Sequence, residues 1–200
     1  RETDPLQPVS PYGRSKVLGE EALRSACAGS AVVALRFFNV GGAHPTGHLG
    51  EFPSSVVTML LPRLVDELDR PHPACMITGT DWPTPDGTCV RDYIHVNDVA
   101  NALITALTAP TESGSFEAFN VGTGKGSSVR DVISAVEQAA SVVFQLSIGE
   151  HRPGDPAATV ADVSKIASHW GWHARHSLAE MAASACQWAR NLKQMRQGAA

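Results

Sequence analysis

Ala31-Val32-Val33-Ala34-Leu35-Arg36-Phe37-Phe38 is an almost unbroken apolar run. A strand with one face in water alternates apolar and polar residues, whereas a strand buried on both faces of a parallel sheet does not. The run therefore predicts a buried parallel strand over 31–38. Its C-terminal end should face a ligand crevice, where open α/β sheets bind their ligands. On the N-terminal side, Ser10 can cap a helix and Pro11 can be its first residue. Val17, Leu18, Ala22, Leu23 and Ala26 then recur at helical spacing until Gly29, which predicts a helix over about 11–28. The stretch from Leu6 to Pro11 reads as a loop with no strand before it, as if the chain opened partway through a domain.

On the C-terminal side, glycines and prolines crowd Asn39 to Gly50. That predicts a loop long enough to carry function. A helix from about Ser54 to Leu68, a strand at Cys75–Thr78 and a turn cluster over Asp81–Thr88 follow. Tyr93–Val96 is strand-like, and Val99, Leu103, Ile104 and Leu107 mark a helix. Phe116–Val121 predicts a strand leading into the glycine-rich turn Gly122–Gly126. Ser128 and Asp131 predict a capping box for a helix to about Ala140. A strand near Val142–Ile148, a loop through Arg152–Asp155 and two helices from Asp162 and Leu178 complete the pattern. Strand and helix alternate throughout, which is the pattern of an α/β fold.

The 200 residues are 43% hydrophobic and 18% charged, with a formal charge of -4. That excess of acid leaves nothing to neutralise a nucleic-acid backbone, so no nucleic-acid partner is expected. The longest apolar stretches, such as Ser55–Leu61 and Ala139–Phe144, fall well short of the roughly 20 residues that span a bilayer. The polar opening Arg1-Glu2-Thr3-Asp4 does not read as a secretory leader. Cys27, Cys75, Cys89 and Cys186 form no C-x-x-C pair, which fits a reducing cytoplasm better than a disulfide framework. His169, His173 and His176 read as unliganded surface histidines, and no metal site is expected.

Tyr12 and Lys16 stand at i and i+4, so their side chains share one helix face. A neighbouring ammonium favours a phenolate, which could then serve as a general base. Taken alone, such a pair more often decorates a solvated helix face. Gly122-Thr123-Gly124-Lys125-Gly126-Ser127 lacks the spacing of a phosphate loop and reads as a strand-to-helix turn. Arg91 beside Asp92 could be a surface ion pair, Arg152 could cap a loop and Asn39 could support an Asx-turn.

The setting changes the weight of the pair. Ser10-Pro-Tyr-Gly-Arg-Ser-Lys16 resembles the Tyr-x-x-x-Lys signature of the extended short-chain dehydrogenase/reductases. Arg36–Pro45, with Phe37-Phe38-Asn39, and Gly87–Val96, with Arg91-Asp92-Tyr93-Ile94-His95-Val96, look like segments of the UDP-glucose 4-epimerase family within them. Phe119–Gly124 and Arg152-Pro153-Gly154-Asp155 extend the likeness to about residue 190. The resemblance implies the end of a Rossmann-type parallel-sheet domain over 1–38. Residues 39–200 would then be mainly a smaller mixed α/β nucleotide-sugar domain, with some segments returning to the sheet. It implies reversible, NAD-dependent inversion at C4 of a UDP-sugar such as UDP-glucose or UDP-galactose, as in galactose metabolism. The reaction would pass through a 4-keto sugar.

By the same resemblance, Tyr12 is the base and Lys16 its activator and ribose contact, and both touch NAD together with Phe37. Phe38, Asn39, Arg91, Arg152, Asp155 and Thr159 would bind substrate. Arg91 and Arg152 would hold the diphosphate, since a guanidinium fork matches phosphate oxygens. Asp155 would take the ribose hydroxyls. The paired asparagines of many such enzymes fall on Thr58 and Met59, and Thr159 stands where an aromatic gate is common. The smaller residue predicts room for a 2-acetamido sugar. No glycine-rich strand-turn-helix precedes Tyr12 in these residues, so the chain resembles a C-terminal portion. On that reading it is expected neither to retain NAD nor to turn over substrate by itself, and the full protein is expected to be a homodimer. A dehydratase or decarboxylase of the same family, or a non-catalytic nucleotide-sugar-binding module, remain the alternatives.

Overall fold

Ser10 opens the first helix in the computed structural model, its hydroxyl accepting the Gly13 N–H at 3.0 Å. The structure describes residues 1–26, 29–52, 57, 59–110 and 112–198. Helix α1 runs Pro11–Ala26 and buries none of its residues; residues 27 and 28 of the expected helix lie outside the described residues. Strand β1, Val32–Phe37, pairs parallel with β5, Phe116–Val121, in register from Val32↔Phe116 to Phe37↔Val121.

The expected burial of β1 on both faces is corrected. Val33 and Leu35 pack on a core cluster of Ile94, Val99, Ala102, Phe119, Val121, Ile166 and Trp172. The alternate face carries Arg36, whose guanidinium is bound to Glu20 of α1. Among the described residues β5 is the one strand bonded to β1, and Phe37 stays 43% exposed.

Asn39–Gly41, expected to begin a loop, instead forms strand β2. It pairs parallel with β4, Val90–His95, placing Asn39 opposite Tyr93 and Gly41 opposite His95. The ladder bonds offered by β4 outweigh the local loop preference of a Gly-rich stretch. Strand β6, Gly126–Ser128, lies antiparallel on β4, and β8, Ala158–Thr159, lies parallel to it. A separate parallel pair joins β3, Ala74–Thr78, to β7, Gln145–Gly149.

Helices α2 (Leu60–Glu67), α4 (Val129–Ala140) and α6 (Leu178–Gly198) close over β3. Their cluster holds Leu61, Leu64, Ile77, Val132, Val136, Phe144, Met181 and Cys186. Each fully buried Leu or Ile there contributes roughly 1.5–3 kcal/mol. The expected start near Ser54 falls among residues outside the described set, and Met59 is the cap of α2. The capping box of α4 is present, with Ser128 and Asp131 exchanging bonds of 3.0 and 2.8 Å. Helix α3, Val96–Thr108, starts three residues earlier than its apolar spacing predicts, because His95 caps it by accepting the Asn97 N–H. Helix α5 spans Ser164–Trp170.

Candidate active site

Helical spacing places the Lys16 ammonium 5.0 Å from the centre of the Tyr12 ring. Tyr12 is 72% exposed, so its hydroxyl is open to a ligand. The sequence holds one other tyrosine, Tyr93. Burial pushes its phenol up to about 12, which keeps it protonated. Of the two, Tyr12 is the exposed one.

Phe37 ends β1 and Asn39 begins β2, so the chain passes from one sheet to the other at Phe38. The Phe38 N–H still bonds to Val121 carbonyl at 3.1 Å. These three residues therefore occupy the seam between the sheets. Such a discontinuity, at the C-terminal end of a parallel strand, is where an open α/β sheet leaves a crevice.

A second group gathers on β4. Arg91 donates from Nη1 to the carbonyls of Val90 at 2.9 Å and Pro156 at 2.8 Å. Its Nη2 stands 3.8 Å from Asp155 Oδ1. Thr159 pairs with Arg91 across the β4–β8 ladder. Arg152 is exposed and holds the same turn, its carbonyl accepting the Asp155 N–H at 3.2 Å. The fold thus brings Arg91, Arg152, Asp155 and Thr159 together, as a cationic and hydroxyl-bearing edge suited to phosphate and sugar oxygens. Among the described residues, no hydrogen bond or ion pair joins this group to Tyr12 or Lys16. Thr58 lies outside the described residues, and Met59 is 43% exposed.

Three features escaped the reading of the sequence. Asp92 is fully buried rather than paired with Arg91. It accepts from Thr123 N–H at 2.8 Å, Thr123 hydroxyl at 2.6 Å, Gly124 N–H at 2.9 Å and Ala161 N–H at 3.2 Å. This carboxylate fixes the glycine-rich turn, and it explains why that turn is structural. Next to the phosphate-suited edge, Trp82 packs on His151 at 4.2 Å between ring centres, and His151 is bonded to Asp81. That bond holds the Asp81 carboxyl below the usual carboxylate range. The Trp82 indole N–H is buried with no hydrogen-bond partner among the described residues.

His176 is the third feature and a correction. His169 and His173 are exposed as expected, but His176 is half-buried, bonded to Asp98 at 2.9 Å and stacked on His95. Asp98 is itself nearly fully buried, so its charge draws the imidazole inward. The signal for Asp92 and His95 lay in the Arg91–Val96 stretch, where Arg91, Asp92 and His95 stand among the large apolar side chains of a strand.

Residues 1–122 match the profile of the NAD dependent epimerase/dehydratase family. The chain belongs to that family. Among family members, the UDP-glucose 4-epimerase of Azospirillum brasilense is 41% identical over 197 residues, covering 97% of this chain and 56% of that protein. The UDP-glucose 4-epimerase of Bacillus subtilis (strain 168) is 37% identical over 187 residues, covering 92% and 55%. The chain therefore spans a little over half the length of these relatives.

Its fold is similar to the crystal structure of a UDP-glucose-4-epimerase from Stenotrophomonas maltophila with bound NAD and formylated UDP-arabinopyranose. That match has a TM-score of 0.91 at 36% identity and covers 97% of this chain and 59% of that one. The Bifidobacterium longum UDP-glucose 4-epimerase in complex with NAD+ and UDP matches with a TM-score of 0.85 at 39% identity, covering 91% and 55%. The mixed α/β architecture with its parallel sheets is that of a Rossmann-type epimerase.

Proposed function

We propose that these residues form the nucleotide-sugar half of an NAD-dependent UDP-sugar 4-epimerase, acting on UDP-glucose and UDP-galactose in galactose metabolism. The observation that carries this reading is the convergence of Arg91, Asp155 and Thr159 from distant parts of the sequence onto one edge of β4. In it, residues 1–38 end the cofactor-binding domain and 39–200 are mainly the substrate domain, with β5 returning to the first sheet.

Tyr12 and Lys16 fit a dinucleotide, since a hydroxyl and an ammonium on one exposed helix face match the diol of a ribose. NAD, when bound, supplies the acceptor and donor of the C4 hydride. Tyr12 Oη takes the proton of the sugar 4-hydroxyl and returns it when C4 is reduced from its other face, so atoms and charge balance over the cycle. Lys16 sets a positive charge beside the Tyr12 ring and holds the cofactor ribose. Phe37 lines the cofactor side of the seam, and Phe38 the sugar side. Asn39, Arg91 and Arg152 hold the diphosphate, and Asp155 accepts from ribose hydroxyls.

A homodimer is the proposed state of the whole protein, supported by α1, which buries none of its residues within one chain and leaves Leu18 and Leu23 57% and 51% exposed. A cytoplasmic location is proposed from Cys75, Cys89 and Cys186, which are free thiols.

Calorimetric titration of the chain with UDP tests the reading. Binding that Arg152→Ala weakens by about tenfold is the expected result. Absence of binding overturns it. Binding of UDP by the chain, with no turnover even in the longest version of the protein, would favour a non-catalytic binding module.

A further inference from the structure

His95 takes no part in the chemistry proposed above, yet its surroundings define where its proton sits. The residue is 1% exposed. Its Nδ1 faces the backbone N–H of Asn97 at 3.1 Å, a group that can only donate, so Nδ1 carries a lone pair. Its Nε2 lies 3.1 Å from Ser184 Oγ. That hydroxyl gives its one hydrogen to Met181 carbonyl at 3.0 Å and accepts the Ala43 N–H at 3.1 Å. The hydrogen between His95 and Ser184 is therefore the imidazole's. Every polar atom of the set is satisfied while His95 is neutral.

The same bonds reach the backbone of the seam. Gly41 pairs with His95, and Asn39 with Tyr93, in the β2–β4 ladder. Gly42, at φ +83°, rests on the ring, since a Cβ there would stand 2.9 Å from His95 Cδ2 and 3.1 Å from Ser184 Oγ. Both the space and the left-handed backbone call for glycine.

Four groups face His95. His176, from the segment before α6, stacks on it at 4.2 Å and 19°. Asp98 on α3 binds the His176 ring and its N–H at 2.9 and 3.0 Å. Glu180 on α6 and His44 after β2 complete the set. Burial first, then His176, holds the His95 imidazole below the ordinary histidine range, while Asp98 and Glu180 pull the other way.

We propose that His95 is a positioning residue that sets the Asn39–Ala43 backbone through Ser184, and that it releases this segment when the ring takes up a proton. A proton on Nδ1 turns two donors toward each other at the Asn97 N–H, which removes the side-chain cap of α3. The ring must then move, and the Ser184 hydroxyl and Ala43 N–H move with it. The consequence for substrate rests on the reading of Asn39 as a diphosphate contact; the coupling of His95 to Ala43 does not.

The test follows the ring nitrogens of His95 and the amides of Gly42 and Ala43 by NMR in the 15N-labelled chain from about pH 8 to about pH 5, with UDP affinity measured near both ends. The Gly42 and Ala43 amides are expected to shift with the His95 midpoint, and Ser184→Ala to uncouple Ala43. UDP binding is expected to weaken about tenfold more toward acid in the unsubstituted chain than in Ser184→Ala, a comparison that cancels the protonation of UDP itself. Amides that stay still while His95 titrates overturn the proposal without recourse to any variant. Equal acid weakening in both proteins overturns its consequence for substrate. Failure to bind UDP at every pH counts against the proposed function alone, because the amides still decide the coupling.

Discussion

Arg91 and Asp155 stand 3.8 Å apart, Nη2 to Oδ1, while the other arm of the same guanidinium holds Pro156 carbonyl at 2.8 Å. One side chain thus ties β4 to the Arg152–Pro156 turn and keeps a donor edge beside a carboxylate. The planar fork makes both tasks possible at once.

Arg91→Lys separates those tasks. An ammonium is a point charge that can keep either the Pro156 carbonyl or a ligand phosphate, but has no fork to serve both. UDP affinity measured by calorimetry is expected to fall about tenfold. An unchanged affinity would remove Arg91 from the binding edge.

Asp92→Asn addresses the turn behind that edge. The buried carboxylate accepts four hydrogen bonds, and an amide replaces one acceptor oxygen with donors that face N–H groups. Leaving buried donors unsatisfied costs about 1–3 kcal/mol each, so a loss of about 3 kcal/mol in urea unfolding is expected. A loss below about 0.5 kcal/mol would mean that the turn holds itself.

The alternation of strands and helices was legible because side-chain period reports local structure, although it does not report how far α1 or β1 is covered. The caps at Ser10 and Ser128 were legible too, since they depend on residues three apart. What the chain order hides is contact between distant segments. Asn39–Gly41 looks like a loop until β4 supplies its ladder. Asp92 looks like the neighbour of Arg91 until Thr123 and Ala161 arrive at its oxygens. His176 looks like a surface histidine until Asp98 and His95 close on it. Motif likeness singles out Arg91, Asp155 and Thr159 as candidates, and only the fold sets them side by side.

Acid should also loosen the tie between α1 and β1. Arg36 donates Nε to one oxygen of Glu20 at 2.8 Å and Nη2 to the other at 2.7 Å. These bonds hold the Glu20 carboxyl below the ordinary glutamate value of 4.5, against the opposing effect of burial. A depressed carboxylate contributes stability that is fully present above the unfolded value and is lost as pH falls through the folded one. The thermal midpoint of the chain is therefore expected to drop below pH 4.5. In Glu20→Gln that part of the drop is missing, although the midpoint near neutral pH is lower. Parallel pH profiles for the two proteins would show that the pair contributes nothing.

Thr159 carries the prediction about sugar choice. It is exposed on β8, directly across the ladder from Arg91, so a larger side chain there projects over the same edge. On the proposed reading of this edge, a threonine would leave space for a 2-acetamido group and a tyrosine would fill it. The chain is expected to bind UDP-N-acetylglucosamine within about threefold of UDP-glucose, and Thr159→Tyr to lose the first by about tenfold while keeping the second. Calorimetry with both nucleotides on both proteins decides the matter. An identical ratio of affinities before and after the substitution would show that Thr159 stands clear of the sugar.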